Sequence, residues 1–126
     1  MTRAEKAVSY HQSGFNCCQA VLLAFSDRIR ISEEVMKRLG SSLGGGMYCE
    51  EATCGALIGA QMVQGMELYK GEKLKAESKA LLEAFKAKVG ASRCGAIKRT
   101  ETQDPLYSCD DCIRYAVEAV EAVLQK

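Results

Sequence analysis

Glycine-punctuated runs of alanine, leucine, lysine and glutamate leave this chain little choice but helix. Those four residues dominate its long segments and are strong helix formers. A single proline, Pro105, and few aromatics among 126 residues argue against many short strands. Thr2 to Gln12 reads as a first helix, ended by Ser13 and Gly14. Asn16 followed three residues later by Gln19 has the pattern of a capping box, so a second helix is expected over Cys17 to Asp27. Ser32 caps a third through Leu39, with Gly40 as its stop. Gly44, Gly45 and Gly46 put too much glycine into Ser41 to Tyr48 for a regular element, so a loop is expected there.

A fourth helix is expected from about Ala52 to Met66 and a long fifth from about Glu72 to Val89. In the fifth, Leu74, Leu81, Leu82, Phe85 and Val89 share one face, and Gly90 supplies the stop. Residues 91 to 107 read as irregular apart from one turn near Cys94. Ser108 or Asp104–Pro105 opens the last helix, which runs to Leu124 with Ile113, Ala116, Val117, Val120, Val123 and Leu124 at steps of three and four. The expectation is an all-α, compact single-domain bundle of about five to six helices with glycine-rich loops, covering residues 1–126. Cys-Gly-Ala at 54–56 recurs at 94–96, an echo short enough to arise by chance.

With 48% apolar and 26% charged residues, the chain has the balance of an ordinary soluble protein and enough length for a real core without disulfides. A net charge of +1 with interspersed signs gives no electrostatic case for nucleic acid or an anionic membrane surface. No apolar stretch approaches the roughly 20 residues of a membrane span. Met1 to Lys6 lead into a charged amphipathic pattern rather than a signal core, so a cytoplasmic protein is expected.

Against that background stand seven cysteines: Cys17, Cys18, Cys49, Cys54, Cys94, Cys109 and Cys112. In a reducing cytosol, clustered thiols are metal ligands or redox groups more often than structural staples, and an odd number leaves one unpaired in any disulfide framework. Cys17 lies with Ala20, Val21 and Ala24 on its helix, and Cys18 turns about 100° away toward Leu22 and Phe25. Cys54 aligns with Ile58 and Met62, and Cys109 and Cys112 extend the face of Ile113 and Ala116. These thiols face inward. Cys17, Cys109 and Cys112 fall within the first turn of a helix and Cys54 close to one, where unpaired N–H groups favour a thiolate by about 0.3–1 kcal/mol. Convergence of several such ends would suit an anionic, sulfur-ligated centre. The competing reading, cysteine as a small buried hydrophobe, fits Cys18 best.

Cys109-Asp-Asp-Cys112 is a CxxC at a helix start, but Asp110 and Asp111 disfavour an attacking thiolate there. One CxxC without histidine partners is a weak zinc signature, and His11 reads as a surface or half-buried residue of the first helix. An iron–sulfur cluster asks for about four thiolates at tolerant spacing, which Cys17, Cys54, Cys94 and Cys112 can supply from distant points. In Cys54-Gly55-Ala56-Leu57-Ile58-Gly59, two helical glycines each cost about 1 kcal/mol relative to alanine, a cost that close approach of another group would offset. Tight helix packing and room for a cofactor beside Cys54 both answer to it. The Gly44-Gly45-Gly46 loop lacks the lysine and Ser/Thr of a phosphate-binding loop.

With those residues in place, the chain resembles a bacterial family of redox-active proteins named for its cysteine pattern, C_GCAxxG_C_C. The resemblance is carried by Asn16-Cys17 with Gln19-Ala20-Val21-Leu22, by Gly44-Gly45-Gly46-Met47, and by Cys54-Gly55-Ala56-x-x-Gly59. Cys94 after the long helix and Cys112 followed by Tyr115 complete it. It implies a small helical protein whose four characteristic cysteines hold a prosthetic group such as an iron–sulfur cluster. Split-Soret-type cytochromes contain a similar cysteine-bearing module. Carried over by position, the four are Cys17, Cys54, Cys94 and Cys112, with Gly55 and Gly59 beside them. Cys18, Cys49 and Cys109 lie outside the pattern as candidate extra ligands, and the chain has no CxxCH for covalent haem. The resemblance names a site rather than a reaction, so no catalytic residue follows.

The leading expectation is therefore an iron–sulfur protein that carries electrons or senses redox state, working with a redox partner protein. Zinc is the alternative metal. A thiol–disulfide protein using Cys109/Cys112 or Cys49/Cys54 is the second reading, and a structural zinc or packed helical partner-binding module the third. A homodimer is an expectation of size alone, with no interface in the sequence.

Overall fold

The structure, a computed structural model, describes residues 1–98 and 107–125. Seven α-helices run through them: α1 (Arg3–Gln12), α2 (Cys17–Ala24), α3 (Glu33–Gly40), α4 (Gly55–Leu68), α5 (Lys75–Val89), α6 (Cys94–Lys98) and α7 (Cys109–Leu124). Among the described residues there is no strand, only an isolated antiparallel bridge between Thr53 and Arg93. The fold is all-α, as the composition requires. No described helix is long and apolar enough to cross a membrane.

Helix starts obey the local code. Thr2, Asn16, Ser32 and Ser108 are N-caps, accepting from the N–H groups of Glu5, Gln19, Val35 and Asp111. Each such cap contributes about 1 kcal/mol. Asn16 and Gln19 form the expected capping box. Ser108 opens α7, and the alternative opening at Asp104–Pro105 lies outside the described residues. Gly90 ends α5 in the left-handed conformation at φ 92.

Elsewhere the boundaries shift for long-range reasons. Helix α2 stops at Ala24 rather than Asp27 because Arg3 reaches over from α1. Its guanidinium donates to the Ala24 carbonyl at 2.7 Å, pairs with Asp27, and lies 4.6 Å over the Phe25 ring. Gly40 belongs to α3 instead of terminating it. A Cβ there would stand 2.9 Å from Gln19 Cγ, so glycine serves the close approach of α3 to α2. Helix α4 begins three residues late because residues 52–54 are engaged with 92–94.

Helix α2 is the centre of the molecule. All its residues except Gln19 are buried, as expected of a helix covered on every side. Helices α4 and α7 pack against it and each other, α1 closes against α2 and α7, α3 against α2, and α5 against α7 and α4. Leu22, Leu23, Phe25, Leu57, Phe85 and Ile113 are fully buried, each contributing about 1.5–3 kcal/mol of apolar burial. On α5, Leu81, Phe85 and Val89 face this core, with Leu74 and Leu82 half-buried at its edge.

Candidate thiol site

The segment joining α3 to α4 carries the unusual backbone. Gly45, Gly46, Met47 and Tyr48 run consecutively at φ 54, 61, 61 and 61, followed by Glu50 at 65. This left-handed turn spans Gly46–Glu50 and is closed by the Tyr48 N–H to the Gly44 carbonyl at 2.9 Å and the Glu50 N–H to the Gly45 carbonyl at 3.2 Å. Met47 and Tyr48 are side-chain-bearing residues in a region that costs them of order 1–3 kcal/mol each, held by their surroundings. Asn16 is part of the restraint: its Nδ2 donates to the Gly40 carbonyl at 2.8 Å and the Tyr48 hydroxyl at 2.9 Å. The residue that caps α2, and so aims Cys17, also anchors the turn.

Beyond the turn, residues 52–54 meet 92–94. The Cys54 N–H donates to Ser92 at 2.7 Å and the Cys94 N–H to Ala52 at 2.9 Å, on either side of the Thr53–Arg93 bridge. Cys54 is thereby fixed as the N-cap of α4 and Cys94 as the first residue of α6. Cys109 and Cys112 enter from the first turn of α7. His11 pins that turn to α1 through a 2.7 Å contact between its Nδ1 and Asp110 Oδ1, which holds the Asp110 carboxyl below its ordinary value.

Cys17, Cys54, Cys94, Cys109 and Cys112 line one cavity, together with Gly45, Gly55, Ile97, Lys98 and Tyr107. All but the half-buried Cys109 are buried. The cavity is ≈ 20 Å³, room for about one water. Glycine lets the sulfurs in. A Cβ on Gly55 would stand 2.5 Å from both Cys17 Sγ and the Leu43 carbonyl oxygen, and one on Gly46 2.5 Å from Cys94 Cβ. Among the described residues, no three His, Cys, Asp or Glu side chains close on the position of a single metal ion.

The thiols differ sharply in acidity. Cys54 is brought down to about 7 by the hydrogen bond from Cys112, against the cost of burial, with help from the N–H groups of Ala56 and Leu57 and the charge of Lys98. Cys112, its partner in that bond, is driven well above the ordinary thiol value. Burial pushes Cys94 up to about 11 and also raises Cys17, against a hydrogen bond from the Gly45 backbone. Lys98 is partly desolvated, which works against its charge, but Cys109, Cys94 and Glu50 offset this and raise its pKa.

Residues 15–123 match the family model described as "Putative redox-active protein (C_GCAxxG_C_C)". The chain belongs to the C_GCAxxG_C_C family. No curated protein and no solved structure matches it. In this member of the C_GCAxxG_C_C family the central motif reads Cys54-Gly55-Ala56-x-x-Gly59, with cysteine before glycine where the family name writes them the other way round.

The four cysteines assigned by resemblance, Cys17, Cys54, Cys94 and Cys112, are all brought together. Gly55 lies among them, but Gly59 does not: a Cβ there would meet the Cys18 carbonyl at 3.0 Å and Val21 Cβ at 3.1 Å, so it serves α4–α2 packing. Cys18 is fully buried in the core outside the cavity. Cys49 is exposed on the left-handed turn, its thiol against the Gly46 carbonyl at 3.5 Å. Sequence reasoning ranked Cys109 as a spare, although its place on the Cys112 face already pointed inward. It missed Lys98, which the four-residue step from Cys94 on a helix makes findable.

Proposed function

We propose that the protein binds an iron–sulfur cluster through Cys17, Cys54, Cys94 and Cys112 and uses it to carry electrons or sense redox state. The observation behind this reading is the arrival of five thiols from four separate stretches of chain at one buried cavity. Four thiolates are the usual ligand complement of a cluster. The rest of the wall suits such an anionic group. Gly45 directs its N–H at the Cys17 sulfur, Ala56 and Leu57 direct theirs at Cys54, and Lys98 brings a positive charge. Gly45 and Gly55 present no side chain to it. At ≈ 20 Å³ the cavity admits a group larger than water only as its walls part.

When bound, a cluster supplies one-electron chemistry. The chain's own contribution is to fix the four sulfurs on helix starts, screen them from water with Ile97 and Tyr107, and donate N–H groups to them. A reducing compartment such as the cytoplasm belongs to this proposal, because the ligands must stay reduced.

Anaerobic purification followed by iron, acid-labile sulfide and zinc analysis tests the reading. Iron and sulfide in equal amounts, lost on replacement of Cys17, Cys54 or Cys94 by serine, reduced in Cys112→Ser and kept in Cys18→Ala, are expected. Their absence from anaerobically prepared protein overturns it.

One observation favours a second reading. Cys54, held near 7 by Cys112, is an acidic thiol beside a neutral one, the pairing of a dithiol that oxidises to a disulfide. That pair replaces Cys49/Cys54, since Cys49 lies outside the cavity. Mass mapping after mild oxidation with oxidised glutathione identifies it by a Cys54–Cys112 disulfide.

A further inference from the structure

An open groove of ≈ 770 Å³ runs between α4 and α5 on the other side of the wall that holds the thiols. Its floor is apolar, built by Leu57, Ile58, Leu74 and Leu82. Its rim carries Lys73, Lys75 and Lys79, all exposed, and no carboxylate among the described residues that line it. Glu72 and Glu77, also exposed, are interleaved with these lysines along the chain, but neither lines the groove.

Neighbouring residues of one segment face the two: Thr53 lines the groove and Cys54 the cavity. Met47 lines the groove, and the adjoining Gly46 lies against Cys94. The strained turn therefore separates the two. It presents Met47, 54% exposed, to the groove. A large exposed side chain of this type beside an apolar floor is characteristic of contact surfaces.

We propose that this groove is the docking face for an acidic electron-carrier protein, which passes electrons through the Thr53–Cys54 and Gly46–Met47 wall. The inference rests on the redox reading of the thiol site and gives its partner a chemistry and a location. Apolar surface edged on one side by lysines suits a brief encounter: the lysines steer the partner in, and the small floor lets it leave. In the exchange the carrier would lose one electron and an oxidised cluster held by Cys17, Cys54, Cys94 and Cys112 would gain it, with no heavy-atom bond formed or broken.

The test uses reduced flavodoxin, a small acidic carrier, as the probe. Stopped-flow transfer to the iron-loaded protein is compared for three forms at several salt concentrations. These are the unaltered protein, the groove variant (Lys73→Glu, Lys75→Glu, Lys79→Glu) and a variant with the same charge change elsewhere (Arg30→Glu, Lys86→Glu, Lys88→Glu). The groove variant is expected to be slowed about tenfold or more at low salt, with a flattened salt dependence, and the other to change much less. Equal slowing of both overturns the docking face while leaving the cluster in place.

Carbodiimide cross-linking of flavodoxin, mapped by mass spectrometry, needs no cluster. Links concentrated on Lys73, Lys75 and Lys79 support the face even if iron is absent, and links spread over all lysines overturn it. Loss of a dimer in the groove variant by light scattering, or saturable binding of a small amphiphilic anion such as decanoate, overturns it in favour of those occupants. Circular dichroism establishes that both variants fold.

Discussion

Cys54 and Cys94 are joined by reciprocal backbone hydrogen bonds, each donating to the carbonyl two residues before the other. The distances are 2.7 Å from Cys54 to Ser92 and 2.9 Å from Cys94 to Ala52. Each opens a helix with the same Cys-Gly-Ala string. The short sequence echo thus has a structural counterpart: one pairing sets two sulfurs, 40 positions apart in the chain, at the mouth of one cavity. The glycine after Cys54 admits Cys17 Sγ, and its tolerance can be measured.

Gly55→Ala is expected to destabilise the protein by about 1–3 kcal/mol, the usual cost of overpacking. Its new methyl would meet Cys17 Sγ and the Leu43 carbonyl oxygen, both at 2.5 Å, and backbone cannot swing aside. Gly65→Ala, in the same helix with nothing within 4 Å, is expected to gain about 1 kcal/mol from helix propensity alone. Urea unfolding of the two variants checks the pair. Equal shifts of the same sign would show that Gly55 is not a close-approach position.

Acidity of the thiols sets a pH dependence for the metal-free, reduced protein. Folding lowers Cys54 from 9.0 to about 7, so its contribution is lost as pH falls toward 7 and present in full above 9. Cys94, at about 11, and Cys18, at about 12, are raised by burial, so their contribution is present below 9 and lost as pH climbs through those values. Thiol-linked stability is expected to rise from pH 7 to 9 and then fall. Cys54→Ala should abolish the rise and keep the fall, measured by urea unfolding under reductant.

Asn16 joins three elements, and its parts can be separated. Asn16→Ala removes the α2 cap and the Nδ2 hydrogen bonds to Gly40 and Tyr48, for an expected loss of about 2 kcal/mol. Asn16→Asp keeps a capping oxygen but cannot donate to Gly40 or Tyr48, and should recover about half. Calorimetric midpoints in that order check the argument; an aspartate as costly as alanine would assign the effect to the cross-links alone.

What was legible in the sequence was local. Asn16, Ser32 and Ser108 act within three residues of themselves, so each could be read as a cap, whereas Thr2 read as the first helical residue and is the cap before it. The helix faces followed from spacing. The boundaries of α2 and α4 were not legible, because Arg3 and the 52–54/92–94 pairing act from distant points. Nor was the left-handed run through Met47 and Tyr48, since neither residue favours it and tertiary contacts impose it. For the site, inward-facing thiols at helix starts were readable, whereas the separation of Gly55 from Gly59 needed their neighbours in space: a sulfur for one, a helix for the other.

Cys109 is expected to act as a reserve ligand. It sits three residues before Cys112, on the same face of the first turn of α7, and lines the same cavity. With five thiols present for the four that a cluster uses, loss of Cys112 leaves another sulfur one short shift of α7 away. Cys112→Ser should therefore retain part of its iron with an altered electron paramagnetic resonance spectrum. Cys109→Ser alone should retain nearly all of it, and Cys109→Ser with Cys112→Ser should lose most. Cys49→Ser, outside the cavity, should match the unaltered protein. Iron per chain in anaerobically prepared variants decides the matter. Complete loss in Cys112→Ser alone would mean that α7 cannot shift to bring Cys109 in, and that the His11–Asp110 contact holds its first turn fixed.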